Sequence, residues 1–220
     1  MYRTEYQRSL QALQDDVVSL GSMVEKAILK AVDALRRRDL EESRNLLEED
    51  TLIDQKRYEI EERCIEVIAT QQPMARDLRT IVAFLIIANE LERIGDYAEG
   101  IAKICLMMGE EPPLKPLIDI PRMAERSARM VRDSLEALVE RNVDKAMQVC
   151  RDDDEVDALY DQVYRELLTF MIEDPRAIRR ATFLLWAAHN LERAADRATN
   201  IGERVIFLVT GKLGDFASSY

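Results

Sequence analysis

The sequence predicts an all-α protein built from two tandem, pseudo-symmetric three-helix bundles. Turn-forming residues are scarce, apolar residues recur at helical spacing through six long stretches, and the second half of the chain repeats the first. The 220 residues include only 7 glycines and 6 prolines, and 47% are hydrophobic. That is too apolar for a disordered chain, and too poor in turn formers for a β-sandwich or barrel, which turns roughly every ten residues.

From Leu10 the apolar positions Leu10, Leu13, Val17, Leu20, Val24, Ala27, Ala31 and Ala34 alternate steps of three and four. They hold one stripe along a helix of roughly 30 residues that ends in the charged run Arg36 to Leu40. A second helix is expected from about Leu40 to Thr70, where Gln-Gln-Pro stops it, because Pro73 can open a helix but cannot continue one. The third, about Met74 to Met108, carries a stripe of Ile81, Phe84, Ala88, Leu91, Gly95, Ala98, Ala102 and Cys105. Residues 109–121 hold four of the six prolines and form the clear linker. Beyond it, helices are expected from about Arg122 to Arg141, from Asn142 to Ile172 and, after Asp174-Pro175, from Arg176 to about Thr210, with Gly211 as the stop. The predicted organisation is therefore a first repeat at 1–110 and a second at 119–220.

The repeat is visible in residues as well as in pattern. ANELERIGDYAEGIAKIC from Ala88 and AHNLERAADRATNIGERV from Ala188 agree at 7 of 18 positions without a gap. Upstream, the segment starting at Asp50 and the one starting at Asp153 share Asp at both ends.

Composition narrows the function. With 42 acidic against 31 basic residues the net charge is −11, which repels nucleic acid and anionic lipid. No run is apolar enough to cross a membrane, and the amino-terminal residues lack the apolar core of a signal peptide, so no direct membrane insertion is expected. Cys64, Cys105 and Cys150 are odd in number, form no C-x-x-C pair and lie in apolar-periodic stretches, as buried thiols in a reducing cytosol do. No Gly-rich phosphate loop and no Ser-His-Asp set is present.

The carboxylates carry the functional signal. Glu92 and Asp96 lie four apart and share one face of the third helix, as Asp50 and Asp54 do on the second. In an antiparallel hairpin about Pro73, Asp54 and Glu92 are both 19 residues from the turn, and Asp50 and Asp96 are both 23 from it. All four then reach one level, since both helices rise about 1.5 Å per residue. In the second repeat, Asp157 with Glu192 and Asp153 with Asp196 share a centre between Asp174 and Pro175. Four like charges at one level are costly unless a cation neutralises them, and oxygen ligands suit Mg, Mn, Fe or, with help, Zn. The competing reading is an acidic, solvated groove on a structural helical bundle with no fixed metal. A di-metal carboxylate enzyme is disfavoured, because that fold takes a Glu-x-x-His motif from each of two helices and His189 is the only histidine. His189 reads as a packing or hydrogen-bonding residue. Arg93 and Arg193 point about 100° from the neighbouring Glu and are expected to tie another helix or the partner repeat rather than the acids. Phe183 and Trp186 fit an apolar stripe and read as core. Glu99 extends the acidic face but is replaced by Thr199 in the second repeat, which leaves it outside the predicted site.

ELERIGDYAEGIA (Glu90 to Ala102) and NLERAADRATNIGERVIFLVTG (Asn190 to Gly211) resemble the paired signatures of the PhoU family of phosphate-specific transport accessory and regulatory proteins. The resemblance extends over nearly the whole chain. It implies two three-helix units carrying metal ions, in multinuclear clusters with iron or zinc reported, on the pairs Asp50 with Asp54, Glu92 with Asp96, Asp153 with Asp157 and Glu192 with Asp196. It also implies a cytoplasmic, non-enzymatic regulator, homodimeric, that works with the phosphate ABC transporter on its cytosolic side and with a sensor histidine kinase. Such a protein holds the phosphate-starvation response off when phosphate is plentiful. The second signature commonly reads RIGDHATN, whereas Ala194, Ala195 and Arg197 stand here in place of Ile, Gly and His. The second site is accordingly expected to bind, though less tightly.

Overall fold

The computed structural model describes residues 2–212. Among them are six α-helices and one short 3-10 turn: α1 (Tyr2–Arg37), α2 (Leu40–Gln71), α3 (Arg76–Met108), α4 (Asp119–Glu140), α5 (Val143–Glu173) and, after the turn Pro175–Ala177, α6 (Ile178–Thr210). No strand occurs among the described residues.

The helix ends have local causes, and the two halves share them. Asp39 and Asn142 precede α2 and α5, and each side chain accepts a hydrogen bond from a backbone N–H three residues on, Glu42 N at 2.9 Å and Lys145 N at 3.0 Å. Gln72 ends α2 in the left-handed region, as Gly211 ends α6. Pro73 does not open α3. Ala75 takes a positive φ of 47°, and the helix starts at Arg76, two residues later than the expected Met74.

Of the two stripes read from the sequence, every member is buried except the half-buried Leu10. Within each half the three helices pack on one another, and α1 also packs on α4 and α3 on α6, so the apolar core runs continuously through both. Small residues permit that approach: a Cβ on Gly21 of α1 would sit 1.9 Å from Leu135 Cδ1 of α4.

All three cysteines are free and buried. Phe183 is buried too, but Trp186 is half-exposed and meets Phe183 edge-on at 5.8 Å, contrary to its assignment to the core. The buried face of α6 is set by Leu184, Ala187, Ala188 and Leu191, and residue 186 lies about 200° around the helix from both 184 and 188.

Candidate metal centre

Helices α2 and α3 face each other with Ile53 and Ile60 of α2 and Leu91 and Gly95 of α3 buried between them, so their acids flank the apolar seam. Gly95 matters to that spacing. A Cβ there would lie 3.0 Å from Ile53 Cγ2 and 3.4 Å from Asp50 Oδ1, so the missing side chain is what lets Asp50 lie against α3. One carboxylate oxygen from each of Asp50, Asp96 and Glu99 falls within 4.8 Å of the other two.

The electrostatics match the geometry. Burial, then the charges of Glu99, Asp54 and Asp96, push Asp50 up to about 6. Burial, then Asp96 and Asp54, raises Glu92. Burial, then Asp54 and Glu99, raises Asp96. Asp54 therefore belongs to the same acidic field, though the converging trio is Asp50, Asp96 and Glu99. Among the described residues, no ion pair involves Asp50, Asp54, Glu92 or Asp96, while Glu99 pairs with Lys103 one turn along α3. Glu99 was missed because the comparison between repeats counted against it. The signal that finds it is its spacing of three from Asp96, which places both on one face. Beside the trio a cleft of about 230 Å³ opens toward α1, where Lys30 is held by Glu49 at 2.7 Å.

The second set is arranged differently. Burial first, then Asp157, Asp196, Glu192 and Asp154, pushes Asp153 up to about 7. Burial raises Asp157 as well, followed by Asp154, Asp161 and Asp196. Glu192 is also raised by burial, against the lowering influence of His189 and Arg193. Its Oε2 lies 3.3 Å from His189 Nδ1 and is buried without a hydrogen-bond partner. No three of these acids come within the distance met by the first trio. Thr199, at the position of Glu99, supplies no charge, and its Oγ1 is buried without a hydrogen-bond partner.

His189 approaches Glu192 without a hydrogen bond, and its ring lies 6.0 Å from that of Tyr160, in keeping with a packing role. Arg193 corrects the sequence reading in part. It faces Tyr97 of the first repeat, whose oxygen helps raise its pKa, as expected of a tie between repeats, but its Nη1 also lies 3.2 Å from Asp196 Oδ2, because residues three apart on a helix stay within reach of a long side chain. Arg197 turns away from the acids. It pairs with Glu90 of α3 at 3.4 Å, where Asn200 also donates at 3.3 Å.

The residues present fit a hard or borderline cation: oxygen donors, clustered negative charge of which Glu99 alone has an ion-pair partner among the described residues of the first set, and an orphaned buried carboxylate oxygen in the second.

Residues 17–105 and 120–205 each match the PhoU domain family. The chain is 39% identical over 216 residues to the phosphate-specific transport system accessory protein PhoU homolog of Clostridium acetobutylicum, covering 98% of this chain and 99% of that one. It is 40% identical over 206 residues to the homolog of Aquifex aeolicus, covering 94% and 93%. Its fold is similar to the crystal structure of PhoU from Pseudomonas aeruginosa, with a TM-score of 0.89, 35% identity and coverage of 94% and 100%. For the phosphate transport system regulatory protein PhoU from Streptococcus pneumoniae the values are 0.88, 30%, 96% and 99%.

Proposed function

Because this chain belongs to the PhoU family of phosphate transport accessory and regulatory proteins, which are not enzymes, we propose that it is a metal-binding regulatory adaptor of phosphate uptake and signalling. The observation that supports metal binding most directly is the convergence of Asp50, Asp96 and Glu99 beside acids that have no ion-pair partner. These three would hold a cation, with Asp54 and Glu92 within its field. The second set, Asp153, Asp157, Glu192 and Asp196, would hold another less tightly, since Arg193 and His189 already offset part of its charge. A divalent or trivalent ion such as Mg, Mn, Fe or Zn supplies charge neutralisation there and ties α2 to α3, or α5 to α6.

The repeats 1–110 and 119–220 are then two metal-tied units of one adaptor, which acts as a homodimer in the cytoplasm. Its partners are the phosphate ABC transporter, on the cytosolic side, and the sensor histidine kinase, and it keeps the starvation response off at high phosphate. Among the described residues no helix is long and apolar enough to cross a membrane. The test is complementation. In a host lacking its own copy, the wild-type chain should restore repression at high phosphate and co-purify with transporter or kinase from membranes. Metal analysis of protein purified without chelator should find bound ions, and fewer of them in the variant Asp50→Asn with Asp96→Asn. Unchanged phosphate-gene expression overturns the regulatory reading, and metal-free wild type overturns the metal site.

A further inference from the structure

A second cleft lies at the joint between the repeats, away from the acids. It holds about 420 Å³, within the range of about 300–1,000 Å³ of small-molecule sites, and is formed by the end of α1, the linker 109–118 and Leu184 of α6. In a chain of net charge −11, its lining among the described residues has three cationic side chains, Arg36, Arg38 and Lys115, and no acidic one. Its remaining walls are apolar, with Leu35, Leu117 and Leu184 among them.

Two of the cations have partners. Arg36 pairs with Asp33 at 2.6 Å, and Lys115, its side chain nine-tenths buried, pairs with Glu166 of α5. Arg38 does not. It follows α1 with a positive φ of 60°, makes no ion pair among the described residues, and buries Nη1 with no hydrogen-bond partner. A guanidinium donor buried without an acceptor is costly, and folded proteins seldom leave one bare. A planar fork of donors beside a lysine suits a phosphate group, while leucines and linker prolines suit an apolar body.

We propose that this cleft binds a small organic phosphate, its anionic end on Arg38 and Lys115 and its apolar end on Leu35, Leu117 and Leu184. Such a ligand touches α1, the linker and α6 together, so its occupancy reports to both repeats. The proposal does not depend on the metal reading, because none of the metal-site acids lines the cleft.

The experiment is calorimetric titration of the full chain, treated with chelator, using three probes: ADP, inorganic phosphate for charge alone, and octanoate for a carboxylate on an aliphatic body. ADP should bind at least tenfold more tightly than either other probe, and more weakly as salt rises. Arg38→Gln should weaken ADP binding at least tenfold, Arg38→Lys should restore part of it, and Arg151→Gln on the exposed face of α5 should change nothing. Photolabelling of the wild type with 8-azido-ADP should mark the linker or the peptide containing Leu184, which keeps the test valid if Arg38→Gln folds poorly. Failure of ADP to bind, equal binding of phosphate, tighter binding of octanoate, indifference to Arg38→Gln, or labelling elsewhere would each overturn the proposal.

Discussion

Replacing Asp50, Asp96 and Glu99 with Asn, Asn and Gln removes three charges with little change of shape, and its effect changes sign with the cation. In metal-free protein the anions disfavour the fold. A carboxyl at about 6 rather than 3.8 is disfavoured as the anion by about 3 kcal/mol at full strength, and by about 1 kcal/mol with solvent screening of a partly exposed site. The triple variant should therefore melt about 2–4 °C higher than wild type in chelator at pH 7, the shift of about 1 kcal/mol for a chain of this length. With a cation at a hundredfold excess over its Kd, wild type gains about 2.7 kcal/mol and the variant gains little. Wild type should then rise by roughly 5–11 °C. The assay is thermal unfolding of both proteins in chelator and then with Mg, Mn, Fe or Zn. A wild type that melts at one temperature under every condition, with the variant above it throughout, would refute the metal site and leave a solvated acidic groove.

Metal-free protein should also lose stability as pH rises from about 4 to about 7. Asp50 and Asp153 have folded values of about 6 and about 7 against 3.8 unfolded, so the folded state holds the extra protons in that window. Added metal should weaken or reverse the slope, because cation and proton compete; urea titrations at a series of pH values measure both. Gly95→Ala forces a methyl to within 3.0 Å of Ile53 and should cost about 1 kcal/mol or more despite better helix propensity. Ile53→Val should recover part of it, since the second repeat carries Ala195 and Val156 at the matching positions; a double-mutant cycle measures the coupling. Arg197→Gln should cost about 1–2 kcal/mol by leaving the half-buried Glu90 without its charge partner, with metal content unchanged. Arg193→Gln should tighten metal binding at the second set by freeing Asp196, and competitive chelator titration would show it.

Much of this protein is readable before any coordinate is known, and helix geometry is why. A rise of about 1.5 Å per residue turns sequence distance into height, so equal offsets from Pro73 place Asp50 level with Asp96 in a hairpin. The stripes on α1 and α3 are buried as read because a period of 3.6 leaves little choice of inner face. Lateral relations between helices are not encoded that way. Whether Glu99 or Glu92 closes on Asp50 depends on the rotation of α3 against α2, which Gly95 and Ile53 set by contact. Arg193 reaches both Tyr97 and Asp196, and Arg197 reaches Glu90, only because α6 packs on α3 across the repeats. Trp186 shares an apolar period with its neighbours, yet its face of α6 stays half-exposed. The cleft around Arg38 joins residues from α1, the linker and α6, which one-dimensional spacing cannot bring together. Local periodicity decided the helices and the height of the acids; the packing of one helix on another, through side-chain volume at a few small residues, decided which charges meet.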